Sequence, residues 1–424
     1  RSERMETEMK RLRLQLEKYG HVQSVMSLVN EETLKLEHKR QSRNKAKGVD
    51  GEDKTSYEQN LEENLTNLVN RMKQFKYRPL PVRRAYIPKL DGRLRPLGIP
   101  AYEDRLVQGV MADILKEIYE PKFLDCSYGF RPKRSCHDAV RYINNAVMFD
   151  NINWVVEADI KGFFDHVNHD KLMEMLAHDI QDKNFLRYVK RFLIAGVLEN
   201  GKFQESDEGT PQGGLISPIL ANIYLHYALD TWVMYEIKPI CKGAMHYARF
   251  ADDFVLLFQY EDEARSFLQS LRIRLEQFSL QLADDKTRIL PFGRRAERKD
   301  DFDFLGFTFY NTTTRRGTYR VGVRTSSKRL SAKMKAIKKW IRESMHVDLK
   351  DVLESMNLKY RGHCQYYGVN GNFKALAKFK NYAMYILWKT LRRRSQKDKF
   401  PFKLLAFLWN EIVFKPKIMV QIWY

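Results

Sequence analysis

Tyr247-Ala-Arg-Phe-Ala-Asp-Asp-Phe-Val-Leu-Leu-Phe258 sets two adjacent carboxylates, Asp252 and Asp253, in the middle of an apolar run. Read as two buried strands meeting at a tight turn, the stretch exposes these carboxylates to mutual repulsion and lost hydration unless a cation sits beside them. Hard oxygen donors suit Mg²⁺, an ion that keeps coordination positions open to water and phosphate oxygens. A lone Asp-Asp also reads as a solvated turn, so its chemistry depends on what the rest of the chain supplies.

The chain has 424 residues, enough for two or three domains with a substantial core. Lys and Arg number 74 against 53 Asp and Glu, a formal net charge of +21. A folded chain this basic favours polyanions, nucleic acid first, although a generally lysine-rich background gives the same sum. Cys126, Cys136, Cys241 and Cys364 form no close pair, which argues against a cysteine zinc site and a disulfide framework. No apolar run approaches the ~20 residues of a membrane span, and the start is charged rather than a signal peptide. The expected setting is a cell interior, without membrane attachment.

Helical spacing of apolar residues from Met5 to about Arg40 predicts two short helices, and another is expected from about Tyr57 to Phe75. Between them, Asn44-Lys-Ala-Lys-Gly-Val-Asp-Gly51 predicts an exposed, ordered loop. Val82 to Lys89 and Arg93 to Ile99 read as a β-hairpin turning at Leu90-Asp-Gly92, with Lys89 and Arg95 on its arms. Cations there serve solubility as readily as ligand binding. Trp154-Val-Val-Glu-Ala-Asp-Ile160 is a buried-strand pattern ending in a carboxylate, followed by Lys161-Gly-Phe-Phe-Asp165 and a helix from near His169. Gly209-Thr-Pro-Gln-Gly-Gly-Leu-Ile-Ser-Pro218 is a rigid turn before a helix over Ile219 to Leu229. Its glycines permit close backbone approach, to a ligand or simply to neighbouring chain. Leu271 to Phe278 reads as helix and Asp303 to Phe309 as strand; beyond about Arg324 the chain turns to lysine-rich helices, placing a boundary near residues 315 to 325.

Arg95-Pro-Leu-Gly-Ile-Pro100, Ser127-Tyr-Gly-Phe-Arg-Pro132, Ala158-Asp-Ile-Lys-Gly-Phe-Phe-Asp165, Gly209 to Pro218, Leu220-Ala-Asn-Ile-Tyr224, Phe250-Ala-Asp-Asp253 and Phe304-Leu-Gly-Phe307 together resemble the ordered motifs of the group II intron reverse transcriptase and maturase family. The resemblance spans nearly the whole chain. It implies an α+β right-hand polymerase: fingers and palm with antiparallel sheet over residues 1–315, including an N-terminal extension over about 1–56, then an α-helical thumb or maturase domain over 316–424. It implies an RNA-directed DNA polymerase that extends a DNA or RNA primer on an RNA template with dNTPs. Binding of group II intron RNA to assist splicing, and target-primed mobility into target DNA, are also implied.

Carried over residue by residue, the resemblance makes Asp159, Asp252 and Asp253 the catalytic carboxylates and, with Ile160, the positions around two Mg²⁺ ions, with Mn²⁺ as an alternative. Lys89, Arg95, Phe163, Phe164 and Gln212 are implied for dNTP binding, Phe164 as the aromatic that excludes a ribose 2′-hydroxyl. Gly213, Phe250, Ala251, Lys286 and Gly306 are implied along the primer and template. Phe250 departs from the family's usual tyrosine, but no carboxylate is lost and polymerisation is expected to persist. Lys45, Lys47, Arg131, Lys335, Lys338, Lys339, Arg361, Arg392, Arg393 and Arg394 are the expected RNA contacts, since cations supply phosphate affinity. Trp340, Phe379 and Trp388 are expected in the thumb core, and Tyr360-Arg-Gly-His-Cys-Gln-Tyr-Tyr-Gly368 resembles the maturase signature. The likeness is to endonuclease-lacking bacterial members, which implies a cytoplasmic, nucleoid-associated protein priming from a nick or a nascent replication strand, and leaves a homodimer open. A host-adopted reverse transcriptase in repair or defence, and a splicing-only RNA-binding maturase, remain alternative functions.

Overall fold

The computed structural model describes residues 3–88, 92–210, 213–296, 300–393 and 400–423. Its strands are β1 (Val82–Pro88), β2 (Leu94–Ile99), β3 (Trp154–Asp159), β4 (Val197–Glu199), β5 (Lys202–Gln204), β6 (Met245–Phe250), β7 (Asp253–Phe258), β8 (Arg288–Pro291), β9 (Phe302–Phe304), β10 (Phe307–Thr313) and β11 (Tyr319–Thr325). They form three sheets, ordered β2-β1-β4-β5, β6-β7-β3-β8 and β11-β10-β9. The expected α+β architecture is the one observed, with the β1–β2 hairpin antiparallel as its turn residues predict.

The second sheet is the palm, and it is apolar on both faces. Side chains alternate across a strand. Val156, Ala158, Phe254 and Leu256 therefore enter one core, with the helices Tyr102–Tyr119, Ser217–Leu225 and Glu261–Gln277. Val155, Val255, Leu257 and Leu290 enter the other, shared with helix Cys136–Phe149, the third sheet and the C-terminal helices. Each fully buried Val, Leu or Phe is worth about 1.5–3 kcal/mol, so two cores clamp the strands that carry the carboxylates.

Helices Glu3–Tyr19 and Glu31–Arg40 stand where two were expected. The helix expected from Tyr57 to Phe75 is divided into Lys54–Glu58 and Leu61–Lys73, the first closed by an Asp53–Ser56 capping box. The loop 44–51 is exposed over residues 44–47 and 50–51, with Gly48 buried, and is ordered because its neighbours hold it. Arg83 donates to the Lys47 carbonyl at 2.7 and 3.0 Å, and the Tyr102 amide donates to Asp50 at 3.0 Å. The helix expected over Ile219 to Leu229 begins at Ser217 and runs on through π-helical turns, His226–Asp230 and Val233–Ile237.

One expectation needs correction, and the expected domain boundary can be placed among the strands. Asp303 to Phe309 is not one strand: β9 and β10 meet at a two-residue turn, Leu305–Gly306, with φ of 52° and 79°. The cut at 315/316 falls at the tip of the β10–β11 hairpin, whose register runs unbroken from Phe307↔Thr325 to Thr313↔Tyr319. Helix resumes only at Ser327, and the helices Ser327–Glu343, Leu349–Tyr367, Phe373–Leu391 and Phe402–Ile412 make up the C-terminal part. No described helix is long and apolar enough to cross a membrane.

Candidate active site

Strand β3 ends at Asp159, and the residue opposite it across the β3–β7 ladder is Asp253. Asp252 lies in the two-residue turn that joins β6 to β7, beside Ala251 at φ 57°. A positive φ there suits glycine, so alanine holds the turn at a cost that surrounding contacts must offset. Arg249, wholly buried, supplies them: its guanidinium donates to the Ala251 carbonyl at 2.9 Å, to Asp230 at 2.7 and 2.5 Å, to Asn222 at 3.0 Å and to the Ser127 hydroxyl at 2.9 Å. The Ser127–Pro132 segment runs along β6, with the Tyr128 amide donating to the Arg249 carbonyl at 2.8 Å. A Cβ on Gly129 would lie 2.5 Å from the Ala251 nitrogen, so only glycine passes behind the turn. Phe130 follows, its ring 6.4 Å from that of Phe250.

These elements enclose a cleft of about 560 Å³ lined by Asp159, Asp252, Asp253, Arg95, Phe164, Lys286 and Arg329 among others. Burial, then Asp252 and Asp159, push the Asp253 carboxyl up to about 7; burial and Asp159 also raise Asp252. Lys286 forms an ion pair with Asp159, and that hydrogen bond raises the lysine's own pKa. Among the described residues no three His, Cys, Asp or Glu side chains form a ready metal cage. Mg²⁺ typically binds through one or two carboxylates plus waters and substrate phosphates, so this crowded, under-neutralised oxygen set fits an ion completed by substrate.

The remaining expected site residues are distributed as follows. Lys89, Gln212 and Arg394 lie outside the described residues. Arg95 pairs with Ile87 on the hairpin and lines the cleft, where it offsets the rise at Asp252. Ile160 lines it with a buried side chain. Phe163 lines the cleft too, though only 2% exposed, and packs edge-on beneath Phe164 at 5.3 Å and against Tyr224 at 6.4 Å, so it also supports the neighbouring ring. Gly213, at φ 115°, passes so close to β2 that a Cβ would sit 2.5 Å from the Gly98 carbonyl. The Thr210 amide donates to the Phe164 carbonyl at 2.7 Å, locking this turn to the Phe164 loop. Gly306 sits in the β9–β10 turn, where the Leu305 backbone lies beside Asp253 and favours its charged form.

Of the expected RNA contacts, Lys45, Lys47, Lys335, Lys339, Arg361, Arg392 and Arg393 are exposed, and Lys338 is partly so. Lys47 pairs with Asp53 at 2.8 Å, and Arg392 lies over Trp388 at 4.9 Å. Arg131 is corrected: its buried guanidinium donates to Glu120 at 2.8 Å and to the Leu124 and Ser127 carbonyls at 2.7 and 2.8 Å, an internal tie with no face left for RNA. Tyr360, His363, Cys364 and Tyr367 of the maturase-like signature face the core, as Phe379 does, with Trp340 and Trp388 partly buried against it. Arg329, exposed on the first turn of helix Ser327–Glu343, reaches the cleft from the C-terminal part, and only its charge hinted at that.

A palm sheet with carboxylates at its seam, joined to a fingers hairpin and a helical thumb, defines the reverse transcriptase class. The family model "Reverse transcriptase (RNA-dependent DNA polymerase)" matches residues 87–309, and "Group II intron, maturase-specific domain" matches residues 330–405. The chain is 30% identical to the Group II intron-encoded protein LtrA of Lactococcus lactis subsp. cremoris, over 78% of this chain and 67% of that one. It is 36% identical to Protein YkfC of Escherichia coli (strain K12), over 65% and 78% respectively. The chain belongs to the group II intron-encoded reverse transcriptase and maturase family, and it is an RNA-directed DNA polymerase.

Proposed function

We propose that polymerisation takes place where Asp159, Asp252 and Asp253 converge, and that the thumb also holds group II intron RNA for splicing and for target-primed mobility. The observation that carries the first part is the register: Asp159 and Asp253 face each other across β3–β7, and Asp252 is in the adjoining turn. Held by these carboxylates, two Mg²⁺ ions would lower the cost of deprotonating the primer 3′-hydroxyl and balance charge on the triphosphate. Arg95 enters from the fingers hairpin and is suited to orient that triphosphate. Lys286 keeps Asp159 paired until substrate arrives. Phe164, backed by Phe163, presents an aromatic wall where a ribose 2′-hydroxyl would otherwise fit. Fingers and palm then extend to about residue 326, with the thumb from Ser327.

Primer extension on an RNA template with dNTPs and Mg²⁺, run with wild type and Asp252→Ala, tests the site. Positioning and charge compensation supply most of the rate in phosphoryl transfer, so the variant should lose about 10³-fold or more in kcat while binding primer–template as wild type does. Extension by Asp252→Ala within about tenfold of wild type would sink the assignment.

A further inference from the structure

A line of contacts runs from Asp253 into the thumb. The Leu305 backbone lies beside the Asp253 carboxylate and favours its charged form. The Leu305 carbonyl accepts a hydrogen bond from the Tyr366 hydroxyl at 2.9 Å. That bond restrains the peptide after Leu305, and Leu305 sits at φ 52°, a conformation that a leucine adopts only under restraint. Tyr366 is itself held on two sides. Its ring lies over that of Phe307 at 5.7 Å and 9° from parallel, and its carbonyl meets His137 Nε2 of helix Cys136–Phe149 at 2.7 Å. Across the turn, a Cβ on Gly306 would stand 3.0 Å from the Tyr367 hydroxyl, so the thumb helix presses on both turn residues.

We propose that Tyr366 is a positioning residue for polymerisation: through Leu305 its hydroxyl sets the place of Asp253, so that the seating of the thumb helix governs the geometry of the carboxylates. This rests on the catalytic reading of Asp253 given above. The hydroxyl touches neither substrate nor carboxylate and acts only by holding the turn. A thumb that shifts on its nucleic acid would change the rate of addition without any residue of the cleft being altered.

Tyr366→Phe keeps the ring and its stack and removes the hydroxyl alone. Partners that orient the groups of a catalytic site typically carry 10–100-fold effects, so kcat for single-nucleotide addition should fall about tenfold, with dNTP KM, primer–template Kd and melting temperature unchanged. Amide exchange over residues 303–307 should quicken while the rest of the thumb stays protected. A kcat within about twofold of wild type overturns the proposal. So does an equal loss of activity accompanied by a lower melting temperature and faster exchange throughout the thumb, which marks a purely structural role. Asp253→Asn, measured alongside, separates the two readings. Full activity there overturns the role of Asp253 itself, and the coupling with it; an inactive Asp253→Asn beside a fully active Tyr366→Phe overturns the coupling alone.

Discussion

Asp253 has an ordinary carboxyl value of 3.8 and stands at about 7 in the fold, chiefly through burial and then through Asp252 and Asp159. A carboxyl raised in this way favours the folded state fully below about pH 4, and that contribution is lost as pH climbs through about 7. At pH 8 the metal-free protein therefore carries a charge that its fold opposes. Asp253→Asn removes the charge and keeps an oxygen beside the Leu305 backbone. In the presence of a chelator the variant should melt higher than wild type at pH 8, by on the order of 1 kcal/mol or about 2 °C, with the margin vanishing towards pH 4. A lower melting temperature at pH 8 would mean that neighbouring groups already compensate the charge. At this scale the gathering of the carboxylates, Arg95 and Phe164 in one cleft was legible because each lies within a short contiguous motif. Arg249 was not: its partners Asp230, Asn222 and Ser127 come from a helix and a loop, and nothing local distinguishes a buried arginine from a surface one. Arg131 misled for the same reason, its charge suggesting RNA when Glu120 and main-chain carbonyls already claim it.

Among the elements, turns decide where the side chains arrive. Gly213 ties the turn before helix Ser217–Leu225 to the fingers strand β2, and a Cβ there would come within 2.5 Å of the Gly98 carbonyl and 2.7 Å of the Leu97 side chain. Backbone cannot yield as a flexible side chain can, so Gly213→Ala should lift the turn off β2 and disturb the Phe164 loop bonded to it. The expected cost is about 1–3 kcal/mol of stability together with roughly tenfold slower extension. Gly201→Ala in the β4–β5 turn is the comparison: its φ is 77° with nothing within 4 Å, so it should lose stability by about 1 kcal/mol and keep its extension rate. Melting curves and extension rates decide it; equal activity losses in both would make the Gly213 contact irrelevant. The β1–β2 and β6–β7 hairpins and several helices were legible from turn residues and apolar spacing, whereas the β4–β5 and β10–β11 hairpins and helices Tyr102–Tyr119, Cys136–Phe149 and Lys183–Leu193 were not read. The β9–β10 turn was hidden because Phe304, Leu305, Phe307 and Phe309 read as one apolar strand, and a leucine in left-handed conformation gives no local sign of itself. The change in composition near Arg324 follows a hairpin that belongs to the same core as the thumb.

Over the whole molecule the net charge of +21 is unevenly used. Helix Ser327–Glu343 carries Lys328, Arg329, Lys333, Lys335, Lys338, Lys339 and Arg342 against a single carboxylate, Glu343. Arg329 faces the carboxylate-lined cleft from its first turn, while Lys335 and Lys339 are exposed farther along. A long polyanion lying across thumb and cleft would meet this row, and its affinity would arise mainly from released counterions, falling linearly with log salt. If the three proposed contacts Lys335, Lys338 and Lys339 each neutralise one phosphate, replacing all three by glutamine should reduce the slope of log K against log salt by about 2, at ~0.7 per phosphate of single-stranded RNA. Melting temperature should hold, because an exposed lysine seldom contributes more than about 0.5 kcal/mol. Arg131→Gln provides the contrast: it leaves Glu120 without its partner, so it should lower the melting temperature and leave the salt slope alone. Filter binding of intron RNA between low and physiological salt measures both. An unchanged slope in the triple variant would make these lysines a solvated face and move the RNA elsewhere on the thumb. A reduced slope with unaltered discrimination between intron and unrelated RNA would assign them to phosphate affinity alone, leaving recognition of the intron to surfaces that read its shape.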